Sequence, residues 1–172
     1  MLTKKMLEAL NEQINAELYS SYLYLSMAAH FDAINLKGFG NWMRVQVQEE
    51  NFHGMKFFDY VLNRQGKVTL KTIDAPPTKW KTPLDVFEAT YKHEQHVTDL
   101  INKLATLAEK ENDHATRVLL HWFINEQVEE EANDDAIIQK LKLIGDNSSG
   151  LFLLDQELAQ RVFVPPVAQA GA

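Results

Sequence analysis

Glu50 and His53 stand three residues apart, a spacing that lets both side chains leave the same face of a helix. Such a pair can supply a carboxylate oxygen and an imidazole nitrogen to one metal ion. Four more polar residues interrupt apolar seams that repeat at spacings of three and four: Glu17, Glu94, Gln127 and Glu130. Each of the six lies near the middle of a predicted helix, so we expect their side chains to meet at one level of a helical bundle.

The carboxylates in this set need compensating charge, because a buried carboxylate without a partner is costly and four of them repel one another strongly. Glu17 can complete a first metal site with Glu50 and His53. Glu94 and Glu130 can hold a second ion, which Glu50 bridges to the first. A Glu-x-x-His pair alone is common by chance. Three other helices carry polar residues at the same predicted level, and this agreement favours a metal site. Mixed carboxylate and imidazole ligands suit iron or manganese, although zinc also fits.

Two further residues belong beside this predicted di-metal centre. Gln127 can hydrogen-bond a coordinated water or a ligand derived from an oxidant. Tyr24 lies two turns beyond Glu17 on the same helix face and could hydrogen-bond a metal ligand or donate an electron; the alternative is an ordinary core tyrosine. The histidines outside the pair lack comparable partners and are expected to be solvated or structural: His30, His93, His96, His114 and His121.

A second acidic set flanks the centre. Glu49 and Glu126 adjoin predicted core positions, and Glu129 follows Glu126 by three residues. Adjacent glutamates usually form a solvated helix face, and Glu131 belongs to the same set, but the set could also form an outer iron site on the inner side of a shell. Asp134 is a seam carboxylate one turn beyond Glu130, and the sequence assigns it no role.

The elements that must position these residues are helices, because period-two alternation hardly occurs. Thr3 is a plausible N-cap, Thr82-Pro83 marks a helix start, and Gly145 can close a final turn. The predicted helices cover residues 3–31, 37–64, 83–111, 114–144 and, after a polar bend, 151–161.

The segment 65–81 is the decisive connection. About seventeen residues can stretch to about 56 Å, whereas a helix of about 28 residues is near 42 Å long. This segment can therefore cross the whole bundle, which makes the second and third helices parallel. The predicted fold is all-α, with four long helices, one long crossover between the second and third, and a short fifth C-terminal helix.

The composition restricts the function further. The chain has 172 residues, 45% of them hydrophobic, a net charge of −7 and no cysteine. One domain over residues 1–161 with a flexible C-terminal tail at 162–172 is expected. The 17 basic residues form no stripe, so nucleic acid is not an expected partner. The absence of cysteine excludes thiolate metal sites and disulfides. With no signal-peptide pattern and no membrane-spanning stretch, the sequence predicts a cytoplasmic protein.

Four segments of the sequence resemble those of a known family: Asn11–Tyr24, Gln48–His53, Tyr91–Gln95 and Trp122–Glu131. Together they look like a non-haem bacterial ferritin, and the resemblance extends over about residues 1–160. It implies a ferritin-like bundle and 24 subunits in a hollow shell. It also implies oxidation of Fe(II) by dioxygen or peroxide and deposition of ferric mineral inside.

The resemblance also assigns roles to individual residues. It implies that the first ferroxidase iron is held by Glu17, Glu50 and His53. The second is implied to be held by Glu50, Glu94 and Glu130, with Gln127 and Tyr24 beside the centre. A third iron site of the family matches the outer acidic set together with one shared glutamate: Glu49, Glu126, Glu129 and Glu130.

Related families fit less well. Bacterioferritins carry a second Glu-x-x-His where this chain has Gln127-Val128-Glu129-Glu130, and a haem-binding methionine where it has Asn51, so haem is not expected. Two other functions remain open. One is a di-iron or di-manganese oxidase or oxygenase that acts on an organic substrate. The other is a structural bundle whose polar layer is neutralised by metal.

Overall fold

The computed structural model describes residues 1–165, so the predicted flexible tail lies largely outside the described residues. Five α-helices follow one another along the chain: α1 (Lys4–Ala33), α2 (Lys37–Asn63), α3 (Pro83–Lys110), α4 (His114–Ile144) and α5 (Ser148–Leu158). Within residues 1–165 no helix is long and apolar enough to cross a membrane.

The predicted helix starts are confirmed by their capping contacts. Thr3 accepts a hydrogen bond from the backbone N–H of Met6, which caps α1. Thr82 forms a reciprocal capping box with Asp85 around the first turn of α3. Asp113 caps α4, where its side chain accepts from the backbone N–H three residues on. These short-range contacts explain why the long helices could be delimited from sequence.

The predicted bounds of the fifth helix, 151 and 161, are wrong, because α5 begins and ends three residues earlier, at Ser148 and Leu158. The side chain of Asn147 accepts hydrogen bonds from the backbone N–H groups of Ser149 and Gly150 and so caps the helix there. Three residues of the predicted bend, Ser148, Ser149 and Gly150, form the first turn of α5 instead. Gly145, predicted to close α4, does so with a φ of 55°.

The connection between α2 and α3 runs along the side of α1. The Asn11 side chain accepts from the N–H of Thr69 at 2.7 Å, and the Ser26 hydroxyl donates to the carbonyl of Pro77 at 2.6 Å. Asn11 and Ser26 are about 22 Å apart along α1 at 1.5 Å per residue. The segment therefore runs lengthwise along the bundle, which confirms the predicted crossover and makes α2 parallel to α3.

The apolar core is divided into two clusters. One lies towards the α1–α2 turn and α5 and includes Phe31, Phe39 and Phe87. The other lies towards the opposite end and includes Leu10 and Phe57. A layer of buried polar side chains separates the two clusters, at the level where the sequence places the metal ligands.

Candidate metal centre

Each of the four long helices contributes to this polar layer. Six predicted site residues are almost fully buried there: Glu17 on α1, Glu50 and His53 on α2, Glu94 on α3, and Gln127 and Glu130 on α4. All are at most 5% exposed, although glutamate is among the residue types most rarely found in protein interiors. Their burial follows from the seam positions that they occupy on their helices.

Glu17, Glu50 and His53 form the tightest group. One ligand atom from each lies within 4.8 Å of the others, the separation expected of groups that share one ion. His53 Nδ1 is 3.6 Å from Glu50 Oε2, and its ring packs edge-on against Trp122 at 5.3 Å between centroids. Gln13 holds Glu17 in place by donating to its Oε1 at 2.9 Å. The structure thus brings together the three residues predicted for the first site.

A second group lies across the bundle. Gln127 Nε2 donates to Glu94 Oε2 at 3.1 Å, which joins α4 to α3. Gln46 Nε2 donates to Glu130 Oε2 at 3.0 Å, which joins α2 to α4. Two amides thus orient the carboxylates predicted for the second metal. Gln46 is itself completely buried, and although it lies on the predicted seam, sequence reasoning gave it no function.

Burial dominates the electrostatics of these carboxylates. Loss of hydration raises the pKa of Glu17, and the charge of Glu50 raises it further. The pKa of Glu50 is raised by burial first and then by the charges of Glu94 and Glu130. Burial and the neighbouring charge of Glu94 raise the pKa of Glu130 to about 8. The group therefore favours bound protons or bound cations over bare charge at neutral pH.

Two carboxylate oxygens of the first group have no hydrogen-bond partner, although both are fully buried. They are Glu17 Oε2 and Glu50 Oε2. A buried acceptor without a donor costs on the order of 1–3 kcal/mol. A cation beside His53 would compensate both atoms at once. The donor set of two carboxylates and one imidazole therefore fits a divalent metal such as iron.

Tyr24 contacts the centre directly, because its hydroxyl donates a hydrogen bond to Glu94 Oε1. Tyr24 is completely buried, and burial together with the Glu94 charge raises its pKa well above the usual value. His93 packs against it edge-on at 5.9 Å, and His93 Nε2 lies 2.8 Å from the Ser20 hydroxyl. His93 therefore has the structural role that was one of its two predicted alternatives.

The outer acidic set occupies the flank of the bundle beside Glu50. Glu49 is partly buried, and burial raises its pKa; the charges of Arg161 and His53 lower it, and those of Glu126 and Glu129 raise it further. Arg161 opposes this repulsion, with Nη2 at 2.7 Å from Glu49 Oε2. Sequence reasoning missed Arg161, because its contact with Glu49 depends on how α5 docks.

The family of the chain follows from comparisons with known proteins. A model of the ferritin-like domain matches residues 7–144. The bacterial non-heme ferritin of Bacteroides fragilis is 45% identical over 161 residues, which cover 94% of this chain and all of that protein. The chain belongs to the ferritin family. The corresponding protein of Staphylococcus haemolyticus is 42% identical over 163 residues, which cover 95% of this ferritin chain and 98% of that protein. The resemblance inferred from the sequence motifs is thereby confirmed.

Solved ferritin structures share the fold. An engineered closed form of the Archaeoglobus fulgidus ferritin superimposes with a TM-score of 0.94 at 53% identity, covering 95% of this chain and all of that one. The open pore ferritin of the same hyperthermophilic archaeon gives the same score and identity, with 94% of this chain covered. The ferritin-like four-helix bundle with a short C-terminal helix is confirmed.

Proposed function

We propose that this ferritin chain is an iron-storage subunit that oxidises Fe(II) to Fe(III) at the buried centre and passes the product on as ferric mineral. The observation that carries the proposal is the convergence of Glu17, Glu50 and His53, with ligand atoms within 4.8 Å and two carboxylate oxygens that lack partners. Iron is the substrate of this reaction, and its ligands come from all four long helices.

Two Fe(II) ions occupy the centre in this proposal. Glu17, Glu50 and His53 bind the first, and Glu94 and Glu130 bind the second. Glu50 bridges the ions, which agrees with its position between the two groups: its pKa responds to the charges of Glu94 and Glu130 as well as to Glu17. Oxygen-rich ligands stabilise Fe(III) more than Fe(II), so the site favours oxidation.

Pairing the ions allows a two-electron step. Each Fe(II) gives up one electron, and dioxygen accepts two electrons and two protons and leaves as hydrogen peroxide. When peroxide is the oxidant, the same two electrons and two protons convert it into two water molecules. In either case no one-electron oxygen radical needs to leave the protein. Burial and mutual repulsion raise the pKa of Glu50 and Glu130 in the metal-free chain, so these carboxyl groups give up their protons when Fe(II) binds.

Gln127 and Tyr24 have supporting roles on the side of Glu94. Gln127 donates to Glu94 Oε2 and can turn its amide to a ligand bound beside the second iron. The Tyr24 hydroxyl holds Glu94 Oε1, and its ring can supply an electron when only one Fe(II) is present. Catalysis is thus assigned to Tyr24, Glu50 and Gln127 together with the ligands.

A third iron position is assigned to the outer acidic set, where Glu49, Glu126 and Glu129 are joined by Glu130. The mutual repulsion of these carboxylates supports it, because a cation would relieve that repulsion. Occupancy of this position changes the number of Fe(II) ions oxidised per dioxygen more than the rate of the first turnover. An unchanged stoichiometry in Glu129→Ala would count against the assignment.

Assembly into a shell of 24 copies completes the proposal. Large apolar side chains are exposed on single chains, including Tyr22 and Leu25 on α1 and Phe152 and Leu153 on α5. Contiguous apolar side chains on a surface mark places where proteins associate. Contacts between copies would cover these residues and enclose the space that the mineral fills.

Sedimentation after aerobic loading with excess Fe(II) tests storage, with protein and iron recorded together. Storage requires iron to travel with a particle many times heavier than the 19.7 kDa chain and denser than the iron-free form. A small oligomer with only a few irons would overturn storage and favour an oxidase acting on an organic substrate.

A matched pair of variants tests the centre itself. His53→Ala removes the only nitrogen ligand predicted for the first iron, so the initial rate of Fe(II) oxidation should fall by about 100-fold, a loss of about 2.7 kcal/mol. Glu109→Ala on α3 is the control, because Glu109 is exposed and distant from the centre. Equal rates in the two variants would remove His53 from the mechanism.

A further inference from the structure

Five buried side-chain oxygens have no hydrogen-bond partner among residues 1–165, and the proposed centre accounts for two of them. The other three belong to two residues outside it, namely both carboxylate oxygens of Asp134 and Oε1 of Gln46. Asp134 and Gln46 are completely buried, at 0% exposure each. Groups with this burial normally have partners, so the three unpaired acceptors of these two residues call for a ligand.

The helix register places Asp134 and Gln46 opposite each other. α2 and α4 are antiparallel, and Phe57 on α2 stacks on Phe123 of α4 with ring centroids 4.0 Å apart. Gln46 precedes Phe57 by eleven residues on α2, and Asp134 follows Phe123 by eleven residues on α4. Because the helices are antiparallel, both steps run in the same direction along the bundle. Both residues therefore lie at the same height between the two helices.

This height is one helical turn from the proposed iron pair. Gln46 precedes Glu50 by four residues and Asp134 follows Glu130 by four, a rise of about 6 Å along each helix. The two levels are linked, because Gln46 Nε2 donates to Glu130 Oε2 at 3.0 Å. That bond leaves the carbonyl oxygen of the Gln46 amide free for another partner.

The charges around Asp134 also favour a cation. Burial first, and then the charges of Glu94 and Glu130, raise the pKa of Asp134, whereas the charge of Arg161 lowers it. Arg161 makes its own ion pair with Glu49 and does not hydrogen-bond Asp134. A charged Asp134 is therefore left without a neighbour that neutralises it by contact.

We propose that Asp134, Gln46 and Glu130 form an additional divalent-cation position beside the iron pair. Its ligands are all oxygens, a carboxylate from Asp134, the amide carbonyl of Gln46 and a shared carboxylate oxygen of Glu130. Such a set suits Mn(II), Mg(II) or Fe(II), whereas the imidazole of His53 gives the first iron site a mixed character. The identity of the natural occupant as Fe(II) rests on the proposed function. The binding of a divalent cation at this position does not depend on that function.

Mn(II) is the probe for this position, because it prefers oxygen ligands and dioxygen does not readily oxidise it when it is bound to oxygen alone. The assembled, chelator-treated protein is titrated with Mn(II), and the free ion is counted by its paramagnetic resonance signal. Asp134→Asn keeps the shape of the side chain and removes its charge, so it should bind about one Mn(II) fewer per chain than the parent. Asp135→Asn is the matched control, because Asp135 is the exposed neighbour on α4, and it should bind the same number as the parent.

A second variant keeps the test decisive if Asp134→Asn fails to assemble. Gln46→Glu adds a carboxylate opposite Asp134 and should tighten this Mn(II) site by about tenfold, or about 1.4 kcal/mol. An unchanged Mn(II) count in Asp134→Asn, or no tightening in Gln46→Glu, would overturn the proposal and identify Asp134 as a buried neutral acid. If the parent protein did not oxidise Fe(II), the proposed function would be overturned. The Mn(II) count would still test the cation position by itself.

Discussion

Arg161 Nη2 lies 2.7 Å from Glu49 Oε2, so the segment that follows α5 reaches the outer acidic set. The guanidinium also stacks over Trp42 at 4.4 Å, and the Arg161 carbonyl accepts a hydrogen bond from the Asn41 side chain at 2.9 Å. The pair is only partly exposed, so water screens it incompletely. Arg161 therefore competes for the Glu49 carboxylate with any cation that binds to the acidic set.

Replacing Arg161 with glutamine should therefore tighten cation binding at the outer acidic set by about tenfold, or about 1.4 kcal/mol. The positive charge that competes for Glu49 is lost, while the carboxylates of Glu126 and Glu129 remain. Isothermal titration with Tb(III), which prefers carboxylates, measures the change. Arg161→Lys is the control, since it keeps the charge. Weaker Tb(III) binding in Arg161→Gln would contradict the prediction and show that Arg161 positions Glu49 for the metal.

Replacing Glu50 with glutamine should stabilise the metal-free protein and abolish paired iron binding. Glu50 is buried, and its pKa is raised well above the ordinary value by burial first and by the charges of Glu94 and Glu130 second. Removing such a charge at constant shape is expected to raise the free energy of unfolding by at least about 1.4 kcal/mol, the equivalent of one pKa unit. Calorimetry of chelator-treated protein measures this, and the exposed-site variant Glu109→Gln should stay within about 0.5 kcal/mol of the parent. A destabilised Glu50→Gln would show that the charged form has a partner in the folded state.

The metal-free protein should lose stability as the pH rises. The folded-state pKa values of Glu17, Glu50 and Glu130 lie above the ordinary value of 4.5, and that of Glu130 is about 8. Between those values the folded chain binds more protons than the unfolded chain, so the free energy of unfolding falls with pH. A difference of one bound proton changes it by about 1.4 kcal/mol per pH unit.

Thermal unfolding of chelator-treated protein at several values between pH 5.5 and 8 measures this slope. The midpoint should be highest at the acidic end, and a saturating divalent cation should flatten the dependence because it replaces the protons. A midpoint that rises with pH in the metal-free protein would mean that the carboxylates of the centre are already compensated by groups of the chain.

The long helices and the convergence of Glu17, Glu50 and His53 could be predicted from sequence because their signals are local. Thr3 and Thr82 cap helices through neighbours three residues away, and Glu50 and His53 share a face through the helix period alone. The level at which Glu17 meets Glu50 follows from helix lengths and connection order. Predicting these features requires few contacts between segments that are distant in sequence.

The features that sequence reasoning missed depend on contacts between distant segments. Asp155 caps α2 from α5, because its Oδ1 accepts from the N–H groups of Gly38 and Phe39 at 2.7 and 3.1 Å. The residue at the start of α2, Leu36, has no side chain that could form a cap, so the sequence near α2 gives no sign of this bond. The contact between Arg161 and Glu49 could not be predicted for the same reason, because it depends on how α5 packs against the bundle.

Replacing Tyr24 with phenylalanine should slow Fe(II) oxidation by about tenfold without changing how many irons bind. The substitution removes only the hydroxyl that donates to Glu94 Oε1, and a hydrogen bond to a charged group contributes about 1.5–3 kcal/mol. Stopped-flow measurement of the first turnover tests the rate, and Mn(II) titration tests the count. Tyr22→Phe is the control, because it removes the same hydroxyl from the same helix and Tyr22 is not among the residues buried around the centre. An identical rate in the two variants would leave Tyr24 with a packing role alone.

Replacing Gly38 with alanine should release α5 from the bundle. A Cβ atom at this position would overlap the backbone carbonyl of Asp155, and backbone cannot move aside as a flexible side chain can. The hydrogen bonds that cap α2 would be lost with the displaced helix. Faster hydrogen exchange and proteolysis within α5 measure the release. Gly54→Ala on the same helix is the control, since its nearest contact would be an ordinary 3.5 Å.

Release of α5 in Gly38→Ala should also change the acidic set, although Gly38 touches none of its residues. Arg161 follows α5 directly, so a displaced α5 withdraws the guanidinium from Glu49. Tb(III) should then bind Gly38→Ala about as tightly as Arg161→Gln, and combining the two substitutions should add nothing further, because both remove the same contact. Additive effects of the two substitutions on Tb(III) affinity would show that α5 influences the acidic set by another route than Arg161.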